Sequence, residues 1–480
     1  MNHKMVFNML GRIIILEAAL MVLPLVVSLC YGEKCTLAFA LTILIALAVG
    51  FLMWGIFRTK NHVIYAKEGF VIVALSWIAM SAIGALPFVI SGDIPSYTDA
   101  FFETVSGFTT TGASILNNVE ALDRGILFWR SFTHWVGGMG VLVFIVALLP
   151  SISDRSIHIL RAEMPGPIMG KLVPKIKDTA KILYLIYIVL TVIEVIMLLC
   201  GGMPLYDSVV HAFGTAGTGG FGIKQSSIAG YSPYLQWVIA IFMFLFAVNF
   251  NLYYLLLIKK FKTVVKSVEL WVFIGISVIS SVIITADIFP MFESVSDAFR
   301  AAVFQVGSLI STTGYTTADF NQWPELSKAI LLLLMLIGGC AGSTAGGLKV
   351  SRIILIFKMV RRELRHLLHP RSVGVVKFEG KRVSDETLNS VGVYFLLYVL
   401  CFGAVFLLLC FEPFDFETNF SATLACFNNV GPGFGLVGPA SSYADYSGFS
   451  KIILSFAMLM GRLEIFPLIL AFSPSTWTRK

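Results

Sequence analysis

The chain has 480 residues, of which 57% are hydrophobic and only 13% charged, and its mean hydropathy is +0.85. A water-soluble domain carries about twice that charge density, so soluble enzymes, nucleic-acid modules and disordered scaffolds are excluded. A polytopic membrane protein is expected. The formal net charge of +7 then reads as an excess of basic inner loops, and no nucleic-acid partner is expected. The seven cysteines are an odd number, most of them inside apolar runs. They offer no disulfide framework beyond one conceivable bridge between Cys30 and Cys35 at an outer turn.

A bilayer core of ~30 Å takes about 20 apolar helical residues to cross. In chain order, runs of that size lie at 12–31, 36–57, 69–91, 126–150, 180–201, 234–258, 269–290, 326–348, 391–411 and 450–473. Four further apolar stretches, at 98–108, 205–216, 296–310 and 417–428, are too short to span and end in glycine-bearing loops. With a cytoplasmic N-terminus, 27 of the 35 Lys and Arg fall on the inner side and every predicted inner loop is basic, as membrane orientation requires. Outer acids, among them Asp93, Asp99, Glu103 and Asp319, could together concentrate cations at the mouth, while individually they read as ordinary solvated loop residues.

The four loops read SGFTTTGAS at 106–114, GTAGTGGFG at 214–222, SLISTTGYTT at 308–317 and FNNVGPGFG at 427–435. Aligned on one glycine they give Thr110-Thr111-Gly112, Thr218-Gly219-Gly220, Thr312-Thr313-Gly314 and Asn429-Val430-Gly431. Gly219 or Gly220 can serve as the second aligned glycine, Gly220 being preferred because it sets Phe221 opposite Tyr315. Each loop lies between two spans. The expected fold is therefore all-α, with four span–pore-loop–span repeats around a pseudo-fourfold pore and two extra N-terminal transmembrane helices. The boundaries are 1–68 for the extra pair, then 69–178, 179–268, 269–385 and 386–480 for the repeats. Non-helical backbone at membrane depth persists only when buried or lining water. Four copies in register suit a cation filter, in which carbonyl oxygens replace a hydration shell and half-helix C-termini face the ion.

The stretches WRSFTHWVGGMGVLVF at 129–144, GGCAGSTAGGLKVSR at 338–352, NNVGPGFGLVGP at 428–439 and GRLEIFPL at 461–468 resemble the Trk/Ktr/HKT superfamily of potassium transporters. The resemblance covers essentially the whole chain, and the two leading spans favour its Trk branch. It implies K⁺ uptake across the cell inner membrane, a homodimer, and a cytoplasmic nucleotide-binding TrkA-type ring that controls gating. K⁺ is then the transported ion, held by the twelve aligned loop residues, with no organic cofactor. In HKT relatives a serine at the first filter glycine goes with sodium permeation; Gly112 stands there in this chain.

Residues 338–347, GGCAGSTAGG, make a very poor helix. They are expected to form a mobile intramembrane gate, with Gly338, Gly339, Gly342, Ser343, Thr344, Gly346 and Gly347 as its residues. Arg462 lies inside the last predicted span, where a charge is costly and usually faces a cavity or partner. It is expected to be a positive barrier below the filter, the alternative being a salt bridge to Glu194 or Glu464. The basic stretch 349–382 offers Arg361, Arg362 and Arg365 for docking an acidic partner or anionic membrane lipid. No enzyme constellation is present. The competing class is an H⁺- or Na⁺-coupled potassium symporter, for which Glu194 and Glu464 are the candidate coupling groups.

Overall fold

The structure is a computed structural model that describes residues 1–59, 66–140, 176–371 and 374–477. The second half of the span expected at 126–150 and most of the inner loop at 151–181 lie outside them. Within the described residues the chain is a polytopic helical membrane protein. The β-structure there is one antiparallel pair, Lys377–Phe378 with Lys381–Arg382.

Among the described residues, six helical runs are long and apolar enough to cross a bilayer: His3–Tyr31, Cys35–Ile56, Lys67–Ser91, Thr179–Cys200, Val268–Met291 and Asp385–Leu409. The first two pack through Gly11 and Gly50, where an added Cβ on either would press on the other's carbonyl oxygen at 2.7–2.9 Å. Small residues of this kind let membrane helices approach closely. On the opposite side of Cys35–Ile56, Leu37, Leu44 and Leu52 form an exposed stripe suited to lipid.

The four short stretches are helices Tyr97–Phe108, Leu205–Gly217, Val295–Ile310 and Phe416–Phe427. At 12 to 16 residues and 1.5 Å per residue, none crosses the hydrocarbon. Each has an acid in its first turn, namely Asp99, Asp207, Asp297 and Glu417, opposite the positive end of the helix dipole. Their C-terminal halves are buried.

The helix that follows each half-helix departs from the sequence expectation. Arg124–Gly138, Pro233–Ala247, Glu325–Ile337 and Gly448–Arg462 are 13 to 15 residues long, too short to span. The runs 234–258 and 450–473 are therefore not continuous spans. Pro233–Ala247 meets Phe250–Leu257 at a 91° bend, because the Asn249 side chain accepts from Asn251 N–H and starts a new helix. The second run stops at Leu463, and Ile465 at φ +67° precedes Phe466–Phe472. Hydropathy counts apolar side chains and is blind to such caps. At the equivalent place in the third repeat the chain leaves helix altogether, from Gly338 to Lys349.

Candidate functional site

Each half-helix ends in the same turn. In the first, Thr110 N–H donates to Gly107 O at 3.1 Å and Thr111 N–H to Ser106 O at 2.9 Å. The same two bonds recur from Thr218 and Gly219, from Thr312 and Thr313, and from Asn429 and Val430, the second bond being 2.8 Å in all three. This is a Schellman cap, whose pivot residue is left-handed and usually glycine. Here the pivots are Thr110, Thr218, Thr312 and Asn429, at φ +55° to +56°. A β-branched residue in that region costs roughly 1–2 kcal/mol, so three threonines are held there by their surroundings.

Two residues on, Gly112, Gly220, Gly314 and Gly431 take φ of +81°, +76°, +84° and +96°. Gly220 rather than Gly219 is thus the equivalent of the other three. The same four glycines close a ring. A Cβ on Gly112 would collide with the Gly219 carbonyl oxygen, one on Gly220 with Thr313 O, and one on Gly314 with Val430 O. A Cβ on Gly431 would come within 2.6 Å of Thr111 O, returning to the first loop. Carbonyls of the four loops therefore sit against the glycines of their neighbours in cyclic order. A vestibule opens on the ring and is lined by all four glycines.

Charge at the vestibule differs from the sequence expectation. Its charged lining residues are Arg130 and Lys224, with no carboxylate. Glu103 is fully buried and paired with Arg130 at 2.5 Å, and Asp99 is paired with Lys451 at 2.7 Å. Arg130 also donates to Ser114 Oγ and Gly222 O, both at 3.1 Å, and so straps the first two loops together. His134 does the same with its ring: Nδ1 lies 2.8 Å from Gly107 O, and Nε2 accepts from Phe221 N–H at 3.3 Å. Phe221 and Tyr315 do meet, the tyrosine hydroxyl donating to Phe221 O at 3.3 Å.

On the other side of the ring lies the loop from Gly338 to Lys349. Gly346 N–H donates to Thr312 Oγ1 at 2.6 Å and Gly347 N–H to Asn428 O at 3.1 Å. Thr344 Oγ1 donates to Phe246 O at 3.1 Å, and Cys340 N–H to Ala247 O at 2.9 Å. Gly342 packs on Asn249 and accepts from Phe250 N–H at 3.0 Å, while Ser343 Oγ donates to Cys340 O at 2.6 Å. Gly338 and Gly347 lie against one another, and Gly339 lies against Ala345 and Ala247, which closes the loop on itself. Arg462 reaches the same place. Its guanidinium donates to Thr344 O at 2.9 Å, to Gly138 O at 2.6 Å, to Gly137 O, and weakly to Thr110 Oγ1 at 3.4 Å. Neither Glu194 nor Glu464 is its partner among these contacts, and Glu464 pairs with Arg352.

The sequence profile of the TrkH family, described as cation transport proteins, matches residues 36–273 and 252–479. The chain belongs to the TrkH family. It is 38% identical over 484 residues to the Trk system potassium uptake protein TrkH of Salmonella typhimurium (strain LT2), covering 99% of this chain and all of that one. It is 34% identical over 479 residues to the Trk system potassium uptake protein TrkG of Escherichia coli (strain K12), covering 99% and 98%. The crystal structure of the potassium transporter TrkH from Vibrio parahaemolyticus superposes on all of both chains with a TM-score of 0.89 at 33% identity.

Other expected residues of this TrkH-family chain scatter. Arg361 and Arg365 are exposed on helix Val350–Leu368, whereas Arg362 is engaged with Asp385 at 2.8 Å. Cys30 and Cys35 are both free thiols, Cys35 lying 3.0 Å from Ser28 Oγ. The Arg130 strap was not legible in the sequence, because nothing local pairs Arg130 with Glu103, 27 residues away. Nor was the role of Tyr443, whose hydroxyl donates to Gly431 O at 2.8 Å.

Proposed function

We propose that this chain carries K⁺ inward across the cytoplasmic membrane, down its electrochemical gradient, through a filter formed by the four loops. The observation that carries the reading is the closed ring of left-handed glycines, each butted against a carbonyl of the next loop. In this reading the carbonyls near Thr111, Gly219, Thr313 and Val430, with the pivots Thr110, Thr218, Thr312 and Asn429, replace the water stripped from the ion. The half-helix C-termini supply partial negative charge. The glycine-rich loop 338–347 and Arg462 form the gate below. The curated relatives are named as potassium uptake proteins, which supports K⁺ as the ion.

In the proposed topology both termini lie in the cytoplasm, a reading that the distribution of Lys and Arg supports. A homodimer and a nucleotide-binding TrkA-type ring, docked near Arg361 and Arg365, complete the proposed assembly. Purified full-length protein in liposomes tests the central claim. A reversal potential that follows the K⁺ gradient with a Nernstian slope, independent of pH and Na⁺, is the expected result; a fixed stoichiometric offset identifies a coupled carrier instead. Deleting 338–347 is expected to raise K⁺ flux, and unchanged flux in folded protein removes the loop from the gate.

A further inference from the structure

Glu269 sits at the inner start of helix Val268–Ile288, is 5% exposed, and has no place in the filter. A single carboxylate oxygen, Oε1, accepts Ala341 N–H at 2.7 Å and Ser351 N–H at 3.1 Å. Ala341 lies in the first part of the intramembrane loop, and Ser351 lies just beyond its end, in the first turn of Val350–Leu368. One carboxyl oxygen therefore ties the two ends of the loop together. Hydrogen bonds to a charged acceptor are about twice as strong as neutral ones, and the loop cannot swing from the ring while both hold.

A second carboxylate fixes the first. Glu379 occupies the tip of the hairpin formed by Lys377–Phe378 and Lys381–Arg382, with Phe378 paired to Lys381. Glu379 and Gly380 have φ of +49° and +74°, the two left-handed positions of a type I′ turn. Asn or Asp is preferred at the first of these, and a glutamate there is strained. Its Oε1 accepts Ser267 Oγ–H at 3.0 Å and Glu269 N–H at 3.1 Å, capping the helix that bears the first carboxylate. The hairpin is anchored by Val376 and Phe378, both buried in the core that also holds Cys340 and Ala345.

We propose that Glu269 is the latch of the intramembrane gate and that Glu379, exposed on the hairpin, is the positioning residue that holds the latch. The inference rests on the gate reading above and adds the residues through which the hairpin biases it. Single-channel recording of the full-length protein in liposomes, with K⁺ on both sides, tests it on Glu269→Gln, Glu269→Ala, Glu379→Gln and the double variant Glu269→Ala/Glu379→Gln. Loss of both bonds to Glu269 Oε1 predicts a rise in open probability of roughly tenfold to a hundredfold for Glu269→Ala. Glu269→Gln keeps an acceptor oxygen and rises less. Glu379→Gln alone also raises open probability, yet adds little in the double variant. Unitary conductance and K⁺/Na⁺ reversal stay unchanged, because neither residue touches the ring.

Unchanged open probability in folded Glu269→Ala, strict additivity in the double variant, or a parallel change in conductance overturns the latch. Should Glu269→Ala not fold, Glu379→Gln at its exposed site decides the question alone. A wild-type protein that passes no K⁺ current overturns the pore reading and the latch with it. Wild-type current with unmoved variants overturns the latch only.

Discussion

Arg462 and Thr344 lie 118 residues apart in sequence and are joined by a 2.9 Å hydrogen bond from the guanidinium to the loop carbonyl. The same guanidinium holds Gly137 O and Gly138 O of the first repeat. Arginine's fixed fork of donors is what lets one side chain satisfy carbonyls on two walls at once. The loop and the positive charge are therefore one assembly beneath the ring.

Replacing Arg462 by Ala removes both the charge and the tether to Thr344. We expect a higher cation leak, measured as ⁸⁶Rb⁺ flux into liposomes. Arg462→Lys, which keeps charge but not the fork, is expected to fall between Ala and wild type. Lower flux from folded Arg462→Ala would remove the barrier role.

The ring predicts a sharp contrast between glycines. Gly220→Ala forces a Cβ onto the Thr313 carbonyl at φ +76°, combining a clash with backbone strain of roughly 1–3 kcal/mol. K⁺ flux is expected to fall steeply, and the melting temperature with it. Gly275, in a helix with open space around its Cα, is the control. Gly275→Ala is expected to leave flux unchanged and to stabilise by about 0.5–1 kcal/mol.

These glycines show what the sequence could and could not convey. The aligned loops were legible because four copies of one pattern recur at similar spacing, and the choice of Gly220 needed only the register. The short half-helices were legible from length. The breaks at Asn249 and Ile465 were not, since an apolar run looks the same whether it continues or is capped and bent. Glu103 and Arg130 misread for a related reason. Each is a charge near a loop, and only the fold brings them together, 27 residues apart, as a buried pair. Glu269 stands at the start of an apolar run, and its bonds to Ala341 and Ser351 span 72 and 82 residues, a pairing that no local pattern announces.

Thr312 joins the glycine ring to the loop 338–347 through Oγ1, which accepts Gly346 N–H at 2.6 Å. Thr312→Val keeps the shape and deletes the acceptor, leaving a buried N–H unpaired at a cost of about 1–3 kcal/mol. Because the cost falls on the loop as it is held against the ring, the proposed gate predicts a rise in open probability, read in single-channel records with K⁺. A change in K⁺/Na⁺ reversal without a change in gating would place this hydroxyl in the filter instead.

The Arg130–Glu103 pair makes the last prediction, which separates scaffold from steering. Both side chains are almost wholly buried, and the guanidinium also binds Ser114 and Gly222 and lies 3.8 Å over the Phe221 ring. Removing one partner of a buried pair costs about 3–5 kcal/mol because the other charge is stranded, while replacing both by apolar groups costs far less. Arg130→Met is therefore expected to lower the melting temperature in detergent strongly, and Arg130→Met with Glu103→Leu to recover part of the loss. If Glu103 acted instead as a mouth charge, its removal would weaken the salt dependence of the K⁺ uptake rate. A buried, paired carboxylate contributes no such field. The double variant should keep the wild-type salt dependence at every ionic strength at which it remains folded.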